Sequence, residues 1–475
     1  MNILVINVSL RPYSPLKLFP IGLGYIATSM KNAGFPFDLL DIDAHRYSDE
    51  EVERRIRRKR YDVVCLGCIV TGYKIVKSLA SLVKTCHPRA TIIAGNSVAT
   101  SIVDTLLSRT KVDIAVLSEG DETIVDLLRT LSTSEPLEQV RGICFSRNGE
   151  VVRTPHRPLI KDISTLPFID YSIFDLDAYL EASKLAVNDP LPMPRDEVRA
   201  LPINTARGCV ADCSFCYHVF KRMSYRYRSP DSIVTEVKQL IGKYGINNLL
   251  LWDELTFFSK KQTLAFVEKI IEENVRIYWV GSCRGNLFSE EDDLEIMEKM
   301  KRAGCIGMGY SLESADPSIL KAMGKNMTVE QFSRQSDLLH RAGIPVTTSL
   351  VFGFPQETHE TIRRTFDCCM ENRIYPSAGY LLPQPGSRMY EYAVERGFIT
   401  DEEDFLLRMG DRQDLRLNMT RMTDEEFEAH VLEGLRRCNE ALGVGLQDEQ
   451  LIKTQYYRSP VGKGRPDGRE SGGTT

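Results

Sequence analysis

Strand and helix alternate twice along this chain, and that rhythm constrains its fold more than any other feature. Residues 3–8 (ILVINV) and 61–68 (YDVVCLGC) are nearly continuous apolar runs, as expected of strands buried on both faces of a parallel sheet. Further strands are predicted at 37–42, 90–94 and 112–117. Helices fall between them: one opens at Gly22 and ends near Gly34, and others cover 51–59, 75–86 and 123–131. This pattern predicts a doubly wound α/β domain over residues 1–140, with ligand loops at the strand C-termini. The stretch 141–153 (RGICFSRNGEVVR) alternates around Asn148-Gly149, a hairpin signal. Residues 163–201 are rich in Pro, Asp and Tyr, so 141–200 reads as a hairpin followed by a linker that wraps between domains.

From residue 201 the rhythm returns. Strands are predicted at 202–206, 248–252, 277–282, 307–312, 345–352 and 377–382. Helices are predicted at 230–244, 260–274, 294–303, 329–342 and 360–371, the first with Ser229 as cap and Pro230 at its first position. Six such units predict an open partial (β/α)6 barrel over 201–395, with chemistry at its C-terminal mouth. Residues 396–456 form a helical region, in which 401–438 is heavily charged and is expected to close the barrel's side. The Gly/Ser/Arg-rich end, 457–475, reads as a disordered tail. The fold class is thus α/β: a Rossmann-like domain, a partial barrel and a helical C-terminal extension.

Cys209, Cys213 and Cys216 lie in a C-x3-C-x2-C arrangement at the end of the barrel's first strand. Three thiolates so close can converge on one metal centre. A structural zinc site wants four protein ligands, usually from C-x2-C pairs. Three cysteines with no nearby fourth suit a [4Fe-4S] cluster that leaves one iron for a small molecule. The bland alternative is three structural thiols. The twelve cysteines are otherwise scattered, which fits a reducing compartment better than a disulfide framework. A net charge of −5 gives no reason to expect nucleic acid or an anionic membrane. No apolar run is long enough to span a bilayer, and the N-terminus enters a strand at once, so a cytoplasmic protein is expected.

The cysteine spacing, with Phe215 before the third cysteine, resembles the signature of the radical SAM superfamily. That resemblance covers the whole barrel segment. It implies that the three cysteines hold the cluster while its fourth iron binds S-adenosylmethionine (SAM) through the amino and carboxylate groups. It also implies roles for loops after the strands. Asp253 and Glu254 would hold the SAM amino group, Glu313-Ser314 the ribose hydroxyls, and Arg284 the SAM carboxylate or a substrate anion. The turns Gly353-Phe354-Pro355 and Pro383-Gln384-Pro385-Gly386-Ser387 would shape the adenine and substrate walls. Tyr217 is a candidate proton donor over the substrate, and Cys283 a candidate hydrogen-atom donor; the bland readings are a packed ring and a core thiol. Arg228 and His218 are weaker candidates.

In the first domain, Pro20–Ala27 (PIGLGYIA), Thr71-Gly72, Gly95-Asn96-Ser97 and Glu119-Gly120-Asp121-Glu122 resemble the cobalamin-binding domain that precedes many radical SAM domains. The resemblance implies that Gly95, Asn96, Ser97, Glu119 and Gly120 meet cobalamin. The chain departs from the pattern in lacking D-x-H-x-x-G, so no histidine of this domain need ligate cobalt. The alternative is a Rossmann-like domain that has lost the cofactor. Together the resemblances imply reductive cleavage of SAM to a 5′-deoxyadenosyl radical, which takes hydrogen from an unactivated carbon of a small metabolite. Cobalamin-assisted C-methylation in natural-product biosynthesis is the expected outcome. The competing outcomes are dehydration of a sugar diol, or epimerisation with hydrogen returned from Cys283. Ring formation on a magnesium porphyrin is a further one. A non-catalytic iron–sulfur sensor or scaffold is the reading from another class. The chemistry needs an external electron donor, such as flavodoxin, ferredoxin or a partner reductase.

Overall fold

The computed structural model describes residues 1–187 and 189–452. The tail expected at 457–475 lies outside the described residues. The first sheet has seven strands: β1 (Ile3–Asn7), β2 (Asp38–Asp41), β3 (Val63–Gly67), β4 (Thr91–Gly95), β5 (Ile114–Val116), β6 (Ile143–Arg147) and β7 (Glu150–Arg153). Their order is β2-β1-β3-β4-β5-β6-β7. The first five are parallel, and β6 and β7 extend the sheet antiparallel. The hairpin at Asn148-Gly149 is therefore part of this sheet rather than of the connection that follows it.

The barrel wall runs through β8 (Ala200–Ile203), β11 (Asn248–Leu251), β12 (Tyr278–Ser282), β13 (Cys305–Gly309) and β14 (Val346–Thr347), all parallel. One residue past β14, β15 (Ser349–Phe352) pairs in parallel with β16 (Ser377–Tyr380) and completes the arc. Between β8 and β11, β9 (Ala206–Arg207) and β10 (Arg226–Tyr227) form a short antiparallel ribbon that spans the cysteine loop. The helix Pro230–Tyr244 starts and stops as its sequence predicts. The Ser229 hydroxyl accepts the Ser232 N–H at 3.2 Å, and Gly245 ends the helix at φ +64°.

The linker is a packed seam. Phe19 of the first domain meets Tyr171, Phe174 and Tyr179 of the linker with ring centroids 4.7, 4.8 and 5.3 Å apart. The same buried cluster includes Leu201 and Ile203 of β8. Polar contacts fix the register: the Tyr179 hydroxyl donates to Asp41 at 2.8 Å, and the Tyr171 hydroxyl donates to the Pro202 carbonyl at 3.1 Å.

The C-terminal region, expected to close the barrel's side, divides its contacts between the barrel and the first domain. The helix Glu402–Arg408 packs on the first domain, where Glu403 accepts from Tyr73 and Lys77 and Glu402 from Thr105. The helix Asp424–Leu442 packs on the barrel helix His359–Glu371. Gly434 permits that approach, because a Cβ there would lie 2.0 Å from the fully buried Phe366 ring. Alanine gains about 1 kcal/mol of helix propensity over glycine, but overpacking typically costs 1–3 kcal/mol. At 2.0 Å the clash dominates. Gly434→Ala is expected to destabilise the protein by about 1–2 kcal/mol, seen as a lower urea midpoint.

Candidate active site

The cysteine loop leaves β9 at Gly208, whose φ of +91° makes the turn toward Cys209. The Ser214 N–H donates to the Met323 carbonyl at 2.8 Å and its hydroxyl to that of Ala322 at 2.9 Å. The loop is thereby pinned to the helix Pro317–Met323. Burial pushes the Cys216 thiol up to about 12, with Cys213 and Cys209 adding to the rise. Burial also raises Cys213, against the opposing fields of Lys325 and Arg284, while Glu313 and Cys209 push it further up. The three thiols thus share one neighbourhood with the loops after β12 and β13. Among the described residues no three His, Cys, Asp or Glu side chains close around a single ion. Three soft thiolate donors with cationic neighbours suit an iron–sulfur cluster.

Glu313 carries the clearest sign of a missing partner. It is 5% exposed and has φ +65°, a left-handed backbone unusual for a residue with a side chain. Its backbone is held on both sides, its N–H donating to Ser349 at 3.0 Å and its carbonyl accepting from Val351 at 3.1 Å. One carboxylate oxygen accepts from Lys325 at 3.0 Å, and the other is buried with no partner. A buried carboxylate oxygen left open fits a ligand hydroxyl. Ser314 corrects the expectation for its pair: its hydroxyl accepts the Asp316 N–H at 3.2 Å and faces Thr365 of the helix His359–Glu371.

Asp253 is also corrected. It sits deep in the molecule while keeping partial access to solvent, and this depth raises its carboxyl to about 6. Both oxygens are used within the chain. One accepts the N–H groups of Thr205 and Ala206 at 2.8 and 2.9 Å, and the other the Thr205 hydroxyl at 2.7 Å. Asp253 shapes the turn into the cysteine loop. Its neighbour Glu254 is exposed and accepts the Gly208 N–H at 3.1 Å, so it borders that loop directly. Arg284 donates to the Lys325 carbonyl and is half-buried beside Cys213.

Cys283 is a core thiol, not a mouth residue. It is 6% exposed, burial raises it to about 12, and Gln335 donates to its sulfur at 3.5 Å. Tyr217 stays beside the cluster loop, its half-buried ring against Gly386, where a Cβ would lie 2.4 Å away. Arg228 is paired with Glu236 and held to the helix Pro230–Tyr244. His218 is half-buried, with one ring nitrogen unpartnered.

In the first domain the loops after β3, β4 and β5 line one edge of the sheet. A Cβ on Gly95 would meet nothing within 4 Å, and Asn96 is exposed with φ +68°. Ser97 faces inward and accepts the Val70 N–H at 2.8 Å. Sequence reasoning missed the apolar side chains on this edge: Leu10, Tyr13 and Ile69 are 40%, 60% and 45% exposed. Exposed apolar residues on the loops after β1 and β3 suit a flat, largely apolar ring system. The available signal was their position where polar loop residues are the rule.

Glu119 and Gly120 depart from expectation. A Cβ on Gly120 would lie 2.8 Å from Ile26, so this glycine packs on the helix Ile21–Asn32. Glu119 accepts from Arg207 and Arg226, each at 2.8 Å, and from the Ile160 N–H at 2.8 Å. Asp121 accepts from Arg207 at 2.9 and 3.0 Å. All four side chains are buried. Arg207 immediately precedes the cysteine loop, so this cluster locks the edge of the first sheet to the base of that loop. A cavity of about 320 Å³ lies beside it, lined by Ser118, Glu119, His156, Arg157, Arg222 and Met223 among others.

Residues 203–369 match the model of the radical SAM superfamily, and residues 13–128 match that of the B12 binding domain. The chain belongs to the radical SAM superfamily, in its subgroup with an N-terminal B12-binding domain. It is 26% identical over 383 residues to an uncharacterized methyltransferase of Pyrococcus horikoshii, covering 80% of this chain and 79% of the relative. It is 25% identical over 354 residues to the anaerobic magnesium-protoporphyrin IX monomethyl ester cyclase of Cereibacter sphaeroides, covering 73% of this chain and 55% of that longer protein. Its fold is shared with the radical S-adenosylmethionine methyltransferase TsrM from Kitasatospora setae, solved with cobalamin and a [4Fe-4S] cluster bound. The TM-score is 0.65 at 19% identity, over 83% of this chain and 78% of that one. The radical SAM and B12 domains imply an enzyme whose cofactors are a [4Fe-4S] cluster, SAM and cobalamin. No helix of the described residues is long and apolar enough to cross a membrane.

The lock between the two radical SAM subgroup domains is open to test. Removing one member of a buried ion cluster strands its partner and costs about 3–5 kcal/mol. Glu119→Ala leaves Arg226 without its carboxylate. The expected outcome is a lower urea midpoint together with a reduced iron content after reconstitution, because the base of the cysteine loop loses its anchor.

Proposed function

We propose that this enzyme methylates an unactivated carbon of a small metabolite, with cobalamin assisting, in a reducing compartment such as the cytoplasm. The observation that carries this reading is the lock of Glu119 and Asp121 onto Arg207. It sets the ligand edge of the B12 domain directly against the cysteine loop, so two cofactors can serve one substrate. The division proposed is residues 1–140 for cobalamin and 201–395 for cluster, SAM and substrate. When bound, these cofactors supply a radical at the substrate carbon and a methyl group for it.

The chain's own residues bind, orient and exclude water. Cys209, Cys213 and Cys216 hold the cluster. Glu313 offers its open oxygen to the ribose hydroxyls of SAM, with Lys325 holding the other oxygen in place. Arg284 faces the SAM carboxylate and Glu254 its amino group, each by charge complementarity. Leu10, Tyr13, Ile69, Gly95 and Asn96 form the corrin shelf. Tyr217, backed by Gly386, stands over the substrate as a proton donor or a wall. The methyltransferase relative aligned over most of both chains supports methylation, whereas the cyclase match leaves much of that longer protein uncovered. Burial of Cys283 beneath Gln335 weighs against epimerisation through that thiol.

Two measurements test the reading. Anaerobically reconstituted protein should show bound corrinoid in its visible spectrum. With reductant and a panel of metabolites it should release both S-adenosylhomocysteine and 5′-deoxyadenosine, and label from methyl-deuterated SAM should appear on product carbon. Deoxyadenosine without corrinoid or S-adenosylhomocysteine would turn the assignment to dehydration or epimerisation. Neither product, with a cluster bound, would favour the sensor reading. Separately, a hydrogen bond to a charged group contributes about 1.5–3 kcal/mol, so Glu313→Gln should weaken SAM binding roughly ten- to a hundredfold without loss of iron, as measured by calorimetric titration.

A further inference from the structure

The cysteine loop is covered on three sides. Its base is locked to the first domain through Arg207, its inner face meets Glu313, Lys325 and Arg284, and Ser214 is pinned to the helix Pro317–Met323. On the remaining outer face Val210 is 52% exposed, an apolar side chain set between two of the cysteines. Around it three cations converge on one carboxylate. Lys221 lies 3.1 Å from Asp212, Arg222 3.4 Å and Arg388 3.6 Å. The Lys221 side chain is buried and donates to the Cys213 carbonyl, but Arg222 and Arg388 are half exposed beside this single carboxylate, so the face carries surplus positive charge in a chain whose net charge is −5. Lys321, exposed on the helix pinned to Ser214, adds to it.

We propose that this outer face, centred on Val210 and Arg222, is the docking surface for an acidic one-electron carrier protein. The proposal rests on the cluster assignment made above. Electron transfer falls steeply with distance, and on this face Val210 and Asp212, between the first two cysteines, are exposed. A small apolar contact ringed by charge suits a transient encounter that is steered electrostatically and released quickly. In the step served, the anionic flavin hydroquinone of a flavodoxin loses one electron and becomes the neutral semiquinone. The cluster gains that electron and passes from the 2+ to the 1+ state, and no proton moves.

The test compares the holoenzyme with an Arg222→Glu, Lys321→Glu variant, using reduced flavodoxin and, separately, dithionite as donor. Labelled flavodoxin also reports affinity directly by fluorescence anisotropy. At low salt the variant should lose about tenfold or more in flavodoxin affinity and in flavodoxin-driven deoxyadenosine formation. Its dithionite-driven rate should match that of the unmodified enzyme, and the affinity difference should shrink as salt is raised. Unchanged affinity would overturn the proposal. So would a dithionite-driven rate that falls in parallel, because the residues would then act on the cluster itself. Should the unmodified enzyme make no deoxyadenosine with dithionite, the cluster reading fails, and the anisotropy titration still decides whether this face binds the carrier.

Discussion

The structure depends on one buried ion cluster between its two halves. Glu119 and Asp121 stand after β5 of the first sheet, and Arg207 and Arg226 face each other across the β9–β10 ribbon. Buried charges are costly unless their hydrogen bonds are nearly complete. Here Glu119 takes three donors and Arg207 divides its guanidinium between two carboxylates. The rings of Tyr25 and Phe220 lie 5.2 and 5.4 Å from Arg207 and Arg226 respectively, adding cation–π contacts in a buried site. A hydrophobic interface of the same area would hold the halves together without fixing their register. Paired forks of donor and acceptor fix it to within a hydrogen bond. That matters because the next two residues after Arg207 are Gly208 and Cys209.

Much of the fold was legible because its signal is local. A strand buried on both faces is an apolar run, and Ser229-Pro230 mark a helix start by chemistry confined to its end. The C-x3-C-x2-C spacing was legible for the same reason. What was not legible is what pairs over distance. Nothing within residues 141–153 states that β6 will lie beside β5, and Glu119 meets Arg207 across 88 positions of chain. An acidic loop at a strand C-terminus reads as a ligand contact, and only the tertiary structure shows that a cation already occupies it.

Two corrections share a pattern: the pairs Asp253-Glu254 and Glu313-Ser314 each divide their side chains between two tasks. In each pair one member supports the scaffold and the other borders the site. Asp253 binds the turn before the cysteine loop, Ser314 binds the helix behind β13's loop, and Glu254 and Glu313 remain at the mouth.

Glu313 carries two costs that its place in the fold does not require. Its left-handed backbone costs on the order of 1–3 kcal/mol, and glycine at that position would relieve it. Its unpartnered oxygen carries a further desolvation penalty of about 1–3 kcal/mol. Neither cost brings any gain to the unliganded fold, since Lys325 needs only one of the two oxygens. The two backbone bonds to β15 hold the strain in place, so the open oxygen is aimed before any ligand arrives. A ligand with a hydroxyl there recovers the desolvation penalty and meets no cost of reorganising the site, which is how a preorganised contact converts folding energy into binding.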